Sequence, residues 1–264
     1  MSTATRPKRS KNSEGRMSLG QHLVELRKRL FRIALGVVVG AVAGWFLYDI
    51  VWGAMSAPVA VLADAQNVHI NYTNVTSAFD LHMQVAIYTG IVISSPVWLY
   101  QIFAFLVPGL TGKEKRYTFG FFFTAIPLFI AGCAAGWFVL PHIVTLLTSF
   151  APKGDATLLT ASDYFSFVLK LIVATGIAFV LPVFLVLLNF MGVLSARGIL
   201  KAWRIALVVI LLFTAIATPS ADVISMFMLA VPLVFLYFAS AGVAAIHDRR
   251  VARTANRIEQ DLAI

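Results

Sequence analysis

The stretch VAIYTGIVISSPVWLYQIFAFLV, residues Val85–Val107, carries no charged side chain. Next comes PGLTGKEKR (108–116), with Lys113, Glu114, Lys115 and Arg116, and then YTFGFFFTAIPLFIAGCAAGWFVL (Tyr117–Leu140), again uncharged. A helix of about 20 apolar residues crosses a bilayer. The stretch therefore reads as two membrane spans joined by a short basic loop. Basic residues in short loops collect on the cytoplasmic side, so this loop faces the cytoplasm.

The same pattern extends both ways. Further spans are predicted at Ile33–Trp52, Tyr164–Val193, Ile205–Pro219 and Val223–Ile246. Of the 21 Lys and Arg residues, all but Lys153 and Lys170 lie in Arg6–Arg32, Lys113–Arg116, Arg197–Arg204 and Arg249–Arg257. That distribution puts both termini on the cytoplasmic side and predicts six spans. Apolar residues make up 59% of the chain and charged residues 12%, against roughly 45–50% and about 25% in soluble domains. The net charge of +9 belongs to lipid-facing loops rather than to a nucleic-acid footprint. The single cysteine, Cys133, excludes an internal disulfide.

The expected fold is an all-α polytopic membrane protein with a basic polar tail over 1–18, a membrane domain over 19–246 and a basic cytoplasmic tail over 247–264. Ile205–Pro219 is only 15 residues long, and the link Thr218-Pro219-Ser220-Ala221-Asp222 is tight. The fifth and sixth spans are therefore expected to be short, forming a shallow hairpin. Pro96, Pro127, Pro182 and Pro232 fall inside spans, where proline frees a carbonyl and bends the helix, so a concave bundle is expected. Gly53–Thr76 and Pro141–Thr160 are expected to cap the outer face.

Several segments carry candidate sites. In His22-Leu23-Val24-Glu25-Leu26-Arg27-Lys28-Arg29-Leu30 the leucines recur at helical spacing, as in an interfacial amphipathic helix. Glu25 is its one acid and pairs with Arg29 at i, i+4. Thr111 and Glu114 have the spacing of a capping box. Asp163 and Asp222 are expected to cap the fourth and sixth span helices. Lys170 lies about two turns into its span and is expected to snorkel to the outer interface. No glycine-rich phosphate loop, metal-ligand spacing or nucleophile–base pair is visible, so no cofactor is expected.

Taken together, these segments resemble the TatC subunit of the twin-arginine protein translocase. The resemblance runs from Gly20 to about Ile246. It is carried by His22–Leu30, by Ser95–Leu110 with Lys113–Arg116, by Asp163–Phe167, by Leu181-Pro182-Val183, by Thr218–Asp222 and by Pro232–Tyr237. It implies a receptor for the diarginine signal peptides of folded exported proteins. Glu25, Glu114, Phe105 and Arg27 are the implied signal-peptide-binding residues, and Pro58, Asp163, Asp222 and Lys170 the structural or partner-docking ones. It also implies TatA-like and TatB-like single-span partners, self-association, a plasma-membrane location and transport driven by the protonmotive force. One departure stands out: where many family members carry a glutamate, before Leu181-Pro182, this chain has Val180.

Two other function classes make different demands on the sequence. A small-molecule transporter needs an ionisable site near the midplane, and the second, third, fifth and sixth spans carry no charge. A scaffold that reads no signal would bind diarginine peptides equally well without Glu25 and Glu114. The topology is testable by labelling. In a Cys133→Ala background, cysteines at Lys115 and Arg249 should react only from the cytoplasmic side, and a cysteine at Lys153 only from outside; outside labelling of position 115 would reject the model.

Overall fold

A computed structural model describes residues 19–66, 68–72, 74–106, 112–149, 157–218 and 223–262. Helix α1 (Leu19–Phe46) is continuous for 28 residues. The amphipathic segment and the first span are therefore one helix, not an interfacial helix followed by a separate span. Nothing between Leu30 and Ile33 breaks helix geometry, and the apolar face continues into the span. The span ends at Phe46 rather than Trp52, and α2 (Tyr48–Gln66) makes much of the outer segment helical.

The second span is broken. Helix α3 (Ser77–Ile93) and α4 (Ser95–Leu106) meet at a 55° bend. Pro96 has no N–H to continue the ladder. In lipid the carbonyls around the break need other donors: the Val92 carbonyl, which Pro96 cannot serve, is met by the Ser94 N–H, and the Trp98 indole N–H donates to the neighbouring Ile91 carbonyl at 2.9 Å. Pro127, Pro182 and Pro232 interrupt no helix; each lies inside one.

Helix α5 (Gly112–Ser149) continues past the expected end at Leu140. Strand β1 (Val68–Asn71) pairs in parallel with β2 (Thr157–Thr160), from Val68 opposite Thr157 to Asn71 opposite Thr160. This small pair ties the two outer segments together in an otherwise helical chain. Helix α6 (Ala161–Phe190) follows at once, then α7 (Ala196–Lys201), α8 (Trp203–Ala217) and α9 (Val223–Leu262). Of the two spans expected to be short, α8 has 15 residues. At 1.5 Å per residue it is roughly 22 Å long, against about 30 Å of hydrocarbon. The sixth is not short: α9 runs for 40 residues, through Ile246 and along the basic tail to Leu262. That tail contains no glycine or proline and is rich in Arg, with Ala, Glu and Gln beside it, all of which favour helix. Asp222 and the hairpin link lie outside the described residues.

Helix α6 is the central element, packed on α5, α3 and α9. One apolar cluster joins Met55, Leu81, Val85, Leu140, Phe165 and Val168 toward the outer face. A second joins Leu99, Phe103, Phe129, Val180, Val183 and Leu187. Val180 is 2% exposed, so the position before Leu181-Pro182 is sealed in apolar packing.

Two contacts fix the frame. Along α1, Gly40 and Gly44 face α3 so closely that an added Cβ would lie 2.5 Å from the Gly90 and Ala86 carbonyl oxygens. A Cβ on Gly90 would lie 2.4 Å from the Ala41 nitrogen. Small residues permit such backbone approach in membranes. Where α6, α7 and α9 meet, Asp248 accepts hydrogen bonds from the Asn189 side chain at 2.9 Å and the Ala196 backbone N–H at 2.8 Å. Asn189 also donates to the Leu194 carbonyl, and the His247 ring stacks on Phe190 at 3.7 Å. Packing thus continues two residues beyond Ile246.

These contacts give two expectations. Gly90→Ala should lower stability in detergent by about 1–3 kcal/mol, the usual range for overpacking. Gly242→Ala, whose Cβ would meet nothing within 4 Å, should be neutral or better; equal losses would contradict the close-approach account. Asp248→Ala should cost about 1.5–3 kcal/mol, the range for bonds to a charged group, and should speed hydrogen exchange at the Ala196 amide. Unchanged exchange there would show that the clamp does not hold α7.

Candidate functional site

The first half of α1 carries the first sequence-predicted residues. His22, Glu25 and Arg29 fall at i, i+3 and i+7, on one stripe of the helix. Glu25 Oε1 accepts from Arg29 Nε at 3.1 Å and also pairs with the Arg29 terminal nitrogen. Both side chains are largely buried, Arg29 15% exposed and Glu25 23%. The expected Glu25–Arg29 pair is therefore present, but it satisfies only one carboxylate oxygen. Glu25 Oε2 is buried and, among the described residues, has no hydrogen-bond partner. A buried charged oxygen left unmatched is costly unless a ligand completes it.

Phe105, near the end of α4, is brought to the same stripe. Its ring stacks on His22 with centroids 4.4 Å apart and planes 27° from parallel. Higher up, an added Cβ on Gly36 would meet Val97 at 3.0 Å, so α1 and α4 stay in contact along this face. The 55° bend at Ser94 is what redirects α4 toward α1. Sequence spacing did not single out His22 as the ring partner of Phe105; only the tertiary path of α4 supplies it.

The remaining predicted residues separate. Arg27 is exposed, and two residues on from Glu25 it projects from a different side of α1. Glu114 lies in the first turn of α5, which opens one residue after Thr111. Thr111 and the Glu114 side chain lie outside the described residues, as do the Pro58 side chain and the whole of Asp222. Asp163 is not the cap of α6. The N-cap residue is Thr160, with no side-chain cap bond, and Asp163 sits exposed in the first turn. An acid there still complements the positive end of the helix dipole.

Lys170 is exposed on α6. One turn earlier, the Ser166 hydroxyl donates to Gln84 Oε1 at 2.5 Å, a polar link between α6 and α3. The second cytoplasmic corner was not predicted. There the Ser195 side chain accepts from the Gly198 N–H at 3.1 Å, and Asp248 reaches back to Ala196. The Ser-Ala-Arg-Gly run held the capping signal, but Asp248 lies 52 residues away in sequence from Ala196.

The chain matches the family model described as Sec-independent protein translocase protein (TatC) over residues 21–232. It is 42% identical over 240 residues to the Sec-independent protein translocase protein TatC of Xylanimonas cellulosilytica, covering 90% of this chain and 87% of that protein. The TatC of Rothia mucilaginosa is 38% identical, with 94% and 86% covered. A crystal structure of the twin-arginine translocase receptor TatC superposes with a TM-score of 0.72 at 30% identity, covering 85% of this chain and 98% of that one. A crystal structure of the same receptor in DDM gives 0.73 at 30% identity, with 84% and 99% covered. With a family match over most of the chain and both sequence and overall helix arrangement in agreement, this chain belongs to the TatC family of Sec-independent protein translocase proteins.

Proposed function

We propose that this chain captures the diarginine signal peptides of folded proteins at its cytoplasmic face, as the receptor and core subunit of a translocase. The observation that carries the reading is Glu25: a largely buried carboxylate with one oxygen held by Arg29 and the other unmatched. A guanidinium is the natural complement of such an oxygen, in a charge-assisted bond that ammonium geometry reproduces poorly. Arg29 keeps Oε1 engaged while the site is empty. An incoming arginine takes Oε2, and it becomes bidentate only if Arg29 swings aside. The Phe105–His22 stack beside it offers an apolar and aromatic surface for the residues that follow the arginines. Glu114, at the start of α5, supplies the second acid for the second arginine, and Arg27, on the outer side of α1, meets the membrane surface beside the peptide.

The rest follows the family. The site faces the cytoplasm, both termini lie there, and the plasma membrane is the location. TatA-like and TatB-like single-span proteins dock on the bundle, copies of this chain associate within the complex, and the protonmotive force drives transport. Pro58, Asp163, Asp222 and Lys170 serve the outer frame and partner docking, with Lys170 reaching the outer interface. A small-molecule transporter is disfavoured by the buried apolar setting of Val180.

Peptide capture tests the reading. Glu25→Gln and Glu114→Gln should keep normal membrane abundance and weaken binding of a diarginine peptide on the order of ten- to a hundredfold, the loss of one charge-assisted bond. The dilysine peptide should bind weakly to the unaltered chain. Undiminished affinity in the double variant would reject receptor function and leave a scaffold.

A further inference from the structure

A cavity of about 520 Å³ opens between α6, α7, α8 and α9. Its volume lies within the range of small-ligand sites, about 300–1,000 Å³. Leu181 and Leu185 form one wall, Ile205, Val209 and Phe213 another, and Leu233 part of the floor. The one hydroxyl in the lining, that of Tyr237, is turned inward to the Ile199 carbonyl. Leu181, Ile205 and Val209 are exposed, so the cavity opens sideways toward lipid. The cause lies in the packing: α8 rests mainly on α9 and only lightly on α6. Being too short to span ordinary hydrocarbon, it also leaves its apolar face incompletely covered.

The cytoplasmic mouth of this cavity is basic. Gly198 and Ala202 line it, and the helical ladder runs on from Gly198 O through Ala202 to Ala206. Arg197, Lys201, Ile205 and Val209 are thus spaced at i, i+4 along one stripe, cationic at its cytoplasmic end and cavity-lining below. Arg204 lies one turn from Lys201, with its guanidinium 5.5 Å from the centre of the Trp203 ring. A Trp–Arg pair of this kind marks headgroup depth. All three cations are exposed. Among the described residues no carboxylate is ion-paired with any of them, the one ion pair being Glu25–Arg29. The nearby acid, Asp248, is bound by Asn189 and Ala196.

We infer that this cavity is a binding site for one anionic phospholipid of the cytoplasmic leaflet, with an acyl chain between α6 and α8 and the phosphate on Arg197, Lys201 and Arg204. Charge complementarity selects the occupant. A bare acyl groove would accept any lipid, whereas a basic mouth over a groove between membrane helices selects an anionic headgroup. The bound chain covers the apolar face that α8 leaves open, and the headgroup sits beside the corner clamped by Asp248. The site is separate from Glu25 and Phe105, and the inference stands whether or not those residues read signals.

Native mass spectrometry of the purified full chain tests it, with phosphatidylglycerol and phosphatidylcholine of identical acyl chains as probes. One phosphatidylglycerol should be retained on the order of ten- to a hundredfold more tightly than phosphatidylcholine, at about one decade or less per cation. The Arg197→Gln, Lys201→Gln, Arg204→Gln triple variant should lose that preference. Arg197→Lys, Lys201→Arg, Arg204→Lys should keep it, which separates charge from misfolding. Val209→Trp, which fills the groove and leaves every cation in place, should lose retention while still capturing a diarginine peptide. Equal retention of the two lipids would overturn the inference. So would full retention in Val209→Trp, or displacement of the lipid by inorganic phosphate at low millimolar concentration, since either would leave only a surface ionic contact. Lipid-independent cross-linking of a cysteine at 209 to a single-span protein would assign the groove to a helix instead.

Discussion

The close approach of α1 to α3 is the contact on which the rest of this structure depends. In lipid there is no hydrophobic drive between helices, and association rests on van der Waals packing and a few polar bonds. Gly40, Gly44 and Gly90 let the two backbones touch, leaving no room for a Cβ between them. That contact fixes the axis of α1. Its cytoplasmic extension, carrying His22, Glu25 and Arg29, is then held where the bent α4 delivers Phe105. Were α1 and α3 a methyl group farther apart, the ring stack and the buried setting of Glu25 would both loosen.

A second theme is how polar groups are managed where water is scarce. The break at Ser94 frees backbone groups, and the Trp98 indole takes the Ile91 carbonyl. Gln84 and Ser166 satisfy each other across α3 and α6. Asn189 and Asp248 close the corner between α6, α7 and α9. Glu25 Oε2 is one of the buried polar atoms that find no partner among the described residues, as are Asn189 Oδ1 and Gln101 Oε1. Unlike those two it is a carboxylate oxygen, and it lies near the end of the bundle where α1 begins.

The bundle thus offers two chemically different surfaces. One, on α1 and α4, is an acid beside an aromatic stack. The other, on α7 and α8, is a cluster of cations above an apolar groove. The first suits a cationic peptide and the second an anionic lipid, and the two do not compete for the same ligand. Within the α5–α6 core Val180 is apolar and buried, and the buried hydroxyl of Thr175 is turned back to the Leu171 carbonyl of its own helix.

The sequence by itself determined the membrane class and the long apolar helices. Those follow from composition and the length of uncharged runs, both local properties of the chain. The Glu25–Arg29 pair was legible for the same reason, since helical spacing alone places residues one turn apart. Other features needed distant segments to meet. Phe105 found His22 because Pro96 bends the second span, Asp248 reached Ala196 through the fold of α6 against α9, and β1 met β2 from opposite ends of the outer face. Asp163 lost its expected capping place because strand pairing carried the chain to Thr160 before the helix began. The joining of the amphipathic segment to the first span, and the helical tail beyond Ile246, turned on the absence of any breaker. Side-chain type and spacing report what one helix can do; which helices touch, and which carboxylate oxygen is left without a partner, depends on packing across tens of residues, and only the tertiary structure decided it.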